Sequence, residues 1–285
     1  MAITNQQIAD LRKRTGVGIL ECKKALTESD GDMEKAVEIL RKKGAAIAAK
    51  RADRETNEGK VLTKINAEGT KAVMVEVNSE TDFVSGSDDF QAFAKNVLEV
   101  VYEKEYKSVE ELMANEAELT VQLNDLTAKI GEKMGVGRVA VLNFPNGYVV
   151  DYIHTGAKLG VLVGVDSVDS SKFEALRPVA RDIAMQAAAM SPIATSREEV
   201  PADVIEKEIE VYKELAKKEG KPDAILDKIA QGKLTKFYQE NCLAEQSFVK
   251  DNSKIVGDLI KEFNAQHGTS VKLATFVRFQ IGDKK

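Results

Sequence analysis

Two stretches of this chain follow one order, strand then turn then strand then helix, and that repetition limits the fold more than any other feature. In the first, residues 61–65 and 72–77 read as strands joined by the turn Asn66-Ala-Glu-Gly69. A helix follows, with Phe90, Phe93, Val97, Leu98 and Val101 at helical spacing. In the second, residues 147–153 and 160–165 flank a His154-Thr-Gly156 turn, and a helix starting near Phe173 carries Leu176, Ile183 and Ala187. The expected core is therefore a pair of related α+β halves, each a small antiparallel sheet with a helix.

The copies differ in length at one place. Between second strand and helix the first has twelve residues (78–89, NSETDFVSGSDD) and the second seven (166–172, DSVDSSK). Loops held by a rigid framework are the usual carriers of function, so the five extra residues mark the place to look. There, Thr81-Asp82-Phe83-Val84 sets an aromatic and a valine among polar neighbours. Phe83 either folds back onto the sheet or serves as an anchor that enters a partner, with Asp82 beside it able to compete for a donor or a cation.

Ahead of this core the sequence reads as three short helices. Thr4 and Gln7 have capping-box spacing before Ile8 and Leu11, and Gly16 offers a stop. A second helix after Gly18 has Ile19, Cys22 and Leu26 on one side; Asp32 caps a third, with Met33, Ala36, Val37 and Leu40 inward and Gly44 at its end. Residues 45–59 are polar and look like a partly helical linker. The domain division expected is 1–52 for the helical module, 53–59 for the linker, 60–142 for the first core half and 143–285 for the second.

The second half holds an insertion at 200–230, where Val204, Ile209, Tyr212 and Leu215 precede the break Gly220-Lys-Pro222, and Ile225, Leu226 and Ile229 follow it. It reads as a helical hairpin, either solvated and projecting or a surface for self-association. The chain closes on a strand with Val271, Leu273, Thr275, Val277, Phe279 and Ile281 in alternation.

Charge separates the two parts. Of 41 Lys+Arg and 46 Asp+Glu, residues 1–52 hold 11 and 7, so the module carries +4 and the remainder −9, for −5 overall. Such a surface lacks the basic excess that draws a phosphate backbone, and direct nucleic-acid binding is not expected. Two cysteines 220 residues apart, with no basic and apolar leader at the start, point to a reduced, cytosolic protein. No apolar run reaches the ~20 residues of a membrane span.

Chemistry-bearing motifs are not found. Gly-Lys pairs at 59, 220 and 232 lack the rest of a P-loop; Gly16-Val-Gly18 and Gly135-Val-Gly137 read as helix stops or turns rather than dinucleotide fingerprints. His154 and His267 have no second His or Cys at ligand spacing. No metal, cofactor or catalytic residue is expected, and an enzyme has no nucleophile and base to stand on. A second candidate surface is the turn Arg12-Lys-Arg-Thr-Gly-Val-Gly-Ile-Leu20, where adjacent Ile19 and Leu20 cannot both face one small core.

Residues 11–26 (LRKRTGVGILECKKAL) and 76–84 (EVNSETDFV) resemble the two signatures of bacterial elongation factor Ts, and 154–163 (HTGAKLGVLV) and 236–251 (KFYQENCLAEQSFVKD) resemble further stretches of the same family, in order along nearly the whole chain. The family is the guanine nucleotide exchange factor for elongation factor Tu. The resemblance implies a ubiquitin-associated-like fold for the module, which docks on the GTPase through Arg12, Ile19, Leu20 and Lys23. It implies that Thr81, Asp82, Phe83 and Val84 displace Mg²⁺ from the partner, with Phe83 as the wedge, and that His154 belongs to the half that grips another partner domain. Partnership with nucleic acid or membrane is not implied. Ile19-Leu20 stands where the family often has two methionines, an apolar exchange that docking tolerates. Some members carry a further helical module, which a chain ending four residues past Ile281 is expected to lack. The alternative function is a scaffold or chaperone that holds a partner without changing its nucleotide state.

Overall fold

The computed structural model describes residues 3–283, so residues 1–2 and 284–285 of the two terminal ranges above lie outside it. Three helices come first: α1 (Asn5–Thr15), α2 (Ile19–Glu28) and α3 (Met33–Lys50). Thr4 and Gln7 form the expected capping box, and Asp32 accepts from the Glu34 and Lys35 N–H groups at the start of α3. Ile8, Leu11, Cys22, Ala25, Leu26, Ala36 and Leu40 form their shared core.

The third helix does not stop at Gly44. It continues to Lys50, and Gly44 is buried in its interior. The reason is a close helix crossing: a Cβ on Gly44 would lie 3.2 Å from Ala128 Cβ and 3.3 Å from the Asn124 carbonyl. Glycine there lets two helices approach rather than ending one.

The core begins with β1 (Glu58–Ile65), three residues earlier than the pattern suggested, and β2 (Lys71–Ser79). Then come α4 (Asp82–Ser85), α5 (Asp88–Lys104), α6 (Val109–Asn115), α7 (Ala117–Ile130) and β3 (Met134–Asn143). The second half runs β4 (Gly147–Ile153), β5 (Leu159–Asp166), α8 (Phe173–Met190), α9 (Ala202–Lys218), α10 (Asp223–Asn241), β6 (Ser247–Phe248), β7 (Asp251–Ile255), α11 (Val256–His267) and β8 (Lys272–Gln280). The second helix of the hairpin thus extends well beyond residue 230.

Both halves build a three-stranded antiparallel sheet with the middle strand second, β1-β2-β3 and β4-β5-β8. Each middle strand is buried on both faces. Val73, Val75 and Val77 of β2 face α5, while Ala72 and Met74 face the other sheet. In β5, Val161, Val163 and Val165 pack with α8, while Leu162 faces the first sheet. The protein is accordingly α+β, layered as helix, sheet, sheet, helix, which is why the middle strands read as unbroken apolar runs.

The repeat extends to an irregularity. Pairing shifts between Glu76 and Val77 in the first sheet and between Gly164 and Val165 in the second. Glu76 precedes Gly164 by 88 residues and Phe90 precedes Phe173 by 83, so the five-residue length difference falls entirely between strand and helix.

The triplet Gly135-Val-Gly137 lies in β3 and is not a turn. Gly137 is the bulged residue, and a Cβ there would meet Asn78 Oδ1 at 2.2 Å and Glu76 Oε1 at 2.6 Å. Glu76 is buried and pairs with Arg138, whose Nε donates at 2.6 Å. Arg138 also donates to the Gln280 carbonyl and lies 4.5 Å over the Phe279 ring, so one guanidinium ties the two sheets together.

Candidate functional site

The extra residues of the first half fold into α4, one helical turn rather than an irregular loop. Thr81 caps it, its hydroxyl accepting from the Val84 N–H, and Ser87 caps the following α5. Two polar caps six residues apart force a short helix, a break at Gly86 and a second helix. Within the turn Val84 is buried in the core shared with Phe90 and Phe93, whereas Phe83 is 88% exposed. Of the two readings of Phe83 the outward one is observed. Val84 is not free to touch a partner; it is the pin that fixes the turn. Asp82 is exposed beside the ring, and its carbonyl is engaged by the Ser85 hydroxyl and Gly86 N–H.

The helical module presents the second candidate surface. Gly16 ends α1 in the left-handed region (φ 70°), and its N–H closes on the Arg12 carbonyl. Gly18 then starts α2 with no side-chain cap. The chain turns within three residues, and Ile19 and Leu20 both emerge, at 54% and 73% exposure. Neither enters the small core, because Cys22, Ala25 and Leu26 already fill the inner face of α2. Arg12 and Lys23 are exposed on the same module.

Lys129 bridges from the module turn to α5. Its side chain runs within 3.0 Å of where a Gly16 Cβ would sit, and its ammonium pairs with Asp89 at 2.7 Å in the first turn of α5. The module turn is thereby tied, through the end of α7, to the first turn of α5, six residues beyond Phe83. His154 is not part of this grouping. It is exposed in the β4–β5 turn, where its Nδ1 lies 2.9 Å from the Tyr152 hydroxyl, and that turn abuts β1 through Val61 N–H donating to the Ala157 carbonyl.

Three charged residues were not singled out by pattern. Glu132 accepts from the Thr81 hydroxyl and N–H; Glu80 accepts from Lys133 and Arg54; Lys129 acts as above. Each looks like an ordinary surface charge in one dimension, and only the Gly131 stop before Glu132 hints at a tight turn.

Phe83, Leu20 and Ile19 are the three most exposed large apolar side chains among the described residues. Among those residues no group of three His, Cys, Asp or Glu could hold a metal ion, and no helix is long and apolar enough to cross a membrane. The arrangement suits contact with another protein: apolar tips on two short, well-anchored turns with charged neighbours.

The family model described as Elongation factor TS matches residues 80–283. Among curated relatives, Elongation factor Ts of Trichlorobacter lovleyi is 47% identical over 99% of this chain and 94% of its own. Proteins of the same description from Chlorobium phaeobacteroides (43%, covering 98% and 99%) and Clostridium botulinum (44%, covering 99% and 93%) are similar over comparable lengths.

Proposed function

The chain belongs to the elongation factor Ts family, and we propose that it is the guanine nucleotide exchange factor for elongation factor Tu, acting in translation elongation by protein contact. The observation that carries this reading is the exposure of three large apolar side chains on two short, capped turns, Phe83 at 88% and Ile19 and Leu20 at 54% and 73%. A monomeric chain gains nothing by keeping these three in water.

The mechanism follows from linkage. GDP and Mg²⁺ support each other in the GTPase, so a ligand that prefers the opened, metal-free arrangement weakens nucleotide binding and is weakened by nucleotide to the same degree. Phe83, with Asp82 beside it, acts as the wedge that favours the opened state and displaces Mg²⁺. Arg12, Ile19, Leu20 and Lys23 dock the module on the GTPase domain, and His154 contributes to the grip of the second core half. Thr81, half-exposed at the start of the turn, adds to that contact, and Val84 sets the wedge from within the core. Burying one Phe is worth roughly 1.5–3 kcal/mol, and ~1.4 kcal/mol is tenfold. Phe83 alone therefore supplies about one to two powers of ten, and the rest comes from the other contacts.

No covalent bond is made or broken in this scheme, so the protein is not an enzyme in the chemical sense and needs no cofactor. Cytoplasmic action agrees with two free, buried thiols, Cys22 and Cys242. Release of fluorescent GDP from purified elongation factor Tu tests the proposal: micromolar chain is expected to accelerate it. Stable binding without acceleration would instead support the scaffold or chaperone reading. Pairing of two copies through the hairpin is a separate reading, favoured by exposed Val211, Leu215 and Ile225, and sedimentation decides it.

A further inference from the structure

The three residues between α7 and β3 touch both the wedge turn and the segment by which the helical module leaves. Glu132 receives the Thr81 hydroxyl at 3.0 and 3.1 Å and the Thr81 N–H at 3.2 Å. With its proton committed to Glu132, the hydroxyl turns a lone pair to the Val84 N–H, 3.4 Å away, which is the capping bond of α4. The Ser79 hydroxyl holds the Thr81 carbonyl at 2.9 Å.

One residue further, the Lys133 N–H donates to Glu80 Oε1 at 2.6 Å. Glu80 also accepts from Arg54 Nη1 at 2.9 Å and Arg51 Nη1 at 3.5 Å. The Lys133 ammonium donates to the Ala52 and Arg54 carbonyls at 2.6 and 2.7 Å. Residues 51–54 are the first beyond α3 and the only covalent path from module to core. Register fixes the whole arrangement, because Met134 opens β3 opposite Ser79.

We propose that the 131–133 turn is a clamp whose Glu132 positions the Phe83 wedge and whose Lys133, through Glu80, anchors the exit strap of the helical module. The clamp holds the two docking surfaces at a set separation before any partner arrives. These bonds lie at the edge of the structure, half in water, where each adds little to global stability. Their effect is on orientation: a wedge that must order itself on contact spends part of its binding free energy doing so. Glu132 is a positioning residue, acting through Thr81.

The functional half of this inference rests on the exchange reading; the structural half does not. Glu132→Ala and Thr81→Val are compared with the unaltered chain in two measurements. In the isolated protein, amide hydrogen exchange of residues 82–86 is expected to rise roughly tenfold or more in both, as losing a bond to a charged acceptor implies, while the melting temperature changes little. In GDP release from elongation factor Tu, the maximal rate is expected to fall about tenfold with the half-saturating concentration nearly unchanged, the split expected when orientation rather than binding is lost. Glu132→Gln, which keeps one acceptor for the hydroxyl, is expected to recover most of both. Unchanged amide exchange in both variants would overturn the clamp. Loosened amides with an unaltered maximal rate would overturn its role in positioning. Loosened amides in a chain that never accelerates GDP release leave the clamp standing and defeat the exchange reading alone.

Discussion

Phe83 and Val84 are neighbours in the chain, and the single turn that carries them sends the first into water at 88% exposure and the second into the core at 7%. Substitution should separate them. Phe83→Ala is expected to leave stability within ~0.5 kcal/mol, as for a surface change, while GDP release slows by one to two powers of ten and partner binding persists. Val84→Ala removes two buried methyl-sized groups at ~0.8 kcal/mol each plus a cavity, so a loss of about 2 kcal/mol is expected in urea unfolding. Equal stability loss in the two would contradict the separation.

Gly135 and Gly137 offer a contrast within three residues. A Cβ at Gly135 meets nothing within 4 Å, whereas at Gly137 it strikes the buried Asn78 and Glu76 side chains. Gly137→Ala is expected to cost about 1–3 kcal/mol, the range for overpacking, and Gly135→Ala well under half of that. Thermal melts of both variants decide the point.

Arg138 compensates the buried Glu76 and spans to Phe279 and Gln280 of the other sheet. Arg138→Met strands a carboxylate that is 2% exposed and is expected to destabilise by about 3 kcal/mol or more. The double variant with Glu76→Gln should recover part of that loss. A double-mutant cycle by chemical denaturation measures the coupling, and a coupling near zero would contradict the bridging role.

Acid should loosen the strap. Burial opposes ionisation of Glu80, but the Lys133 N–H and the Arg54 and Arg51 guanidiniums outweigh it and hold the carboxyl below its ordinary 4.5. A depressed carboxyl stabilises the fold fully above the unfolded value and loses that contribution as pH falls through the folded one. Amide exchange of residues 52–54, corrected for its intrinsic pH dependence, is therefore expected to be flat above pH 4.5 and to accelerate below it. In Glu80→Gln the acid step should be absent.

Much of this was legible in one dimension. Caps at Thr4 and Asp32, the two hairpins and the α5 and α8 faces follow local rules of spacing and turn chemistry. What escaped depends on partners distant in sequence. Gly44 looks like a stop because its neighbour Ala128 is 84 residues away, and Gly137 looks like a turn because Glu76 lies 61 residues earlier. Phe83 was legible as an anomaly but not its direction, since a ring between polar residues can point either way until Val84 is seen to take the place in the core.

The matching pairing shifts at Glu76/Val77 and Gly164/Val165 make each sheet a ruler for the other. The hairpin strands up to the shift and the helix that follows align from copy to copy, so the segment between them can change in length without turning a strand's inner residues outward. The wedge is thus a detachable part. Seven residues suffice to close the same gap in the sister copy, and a chain shortened there should keep its architecture while losing its tool.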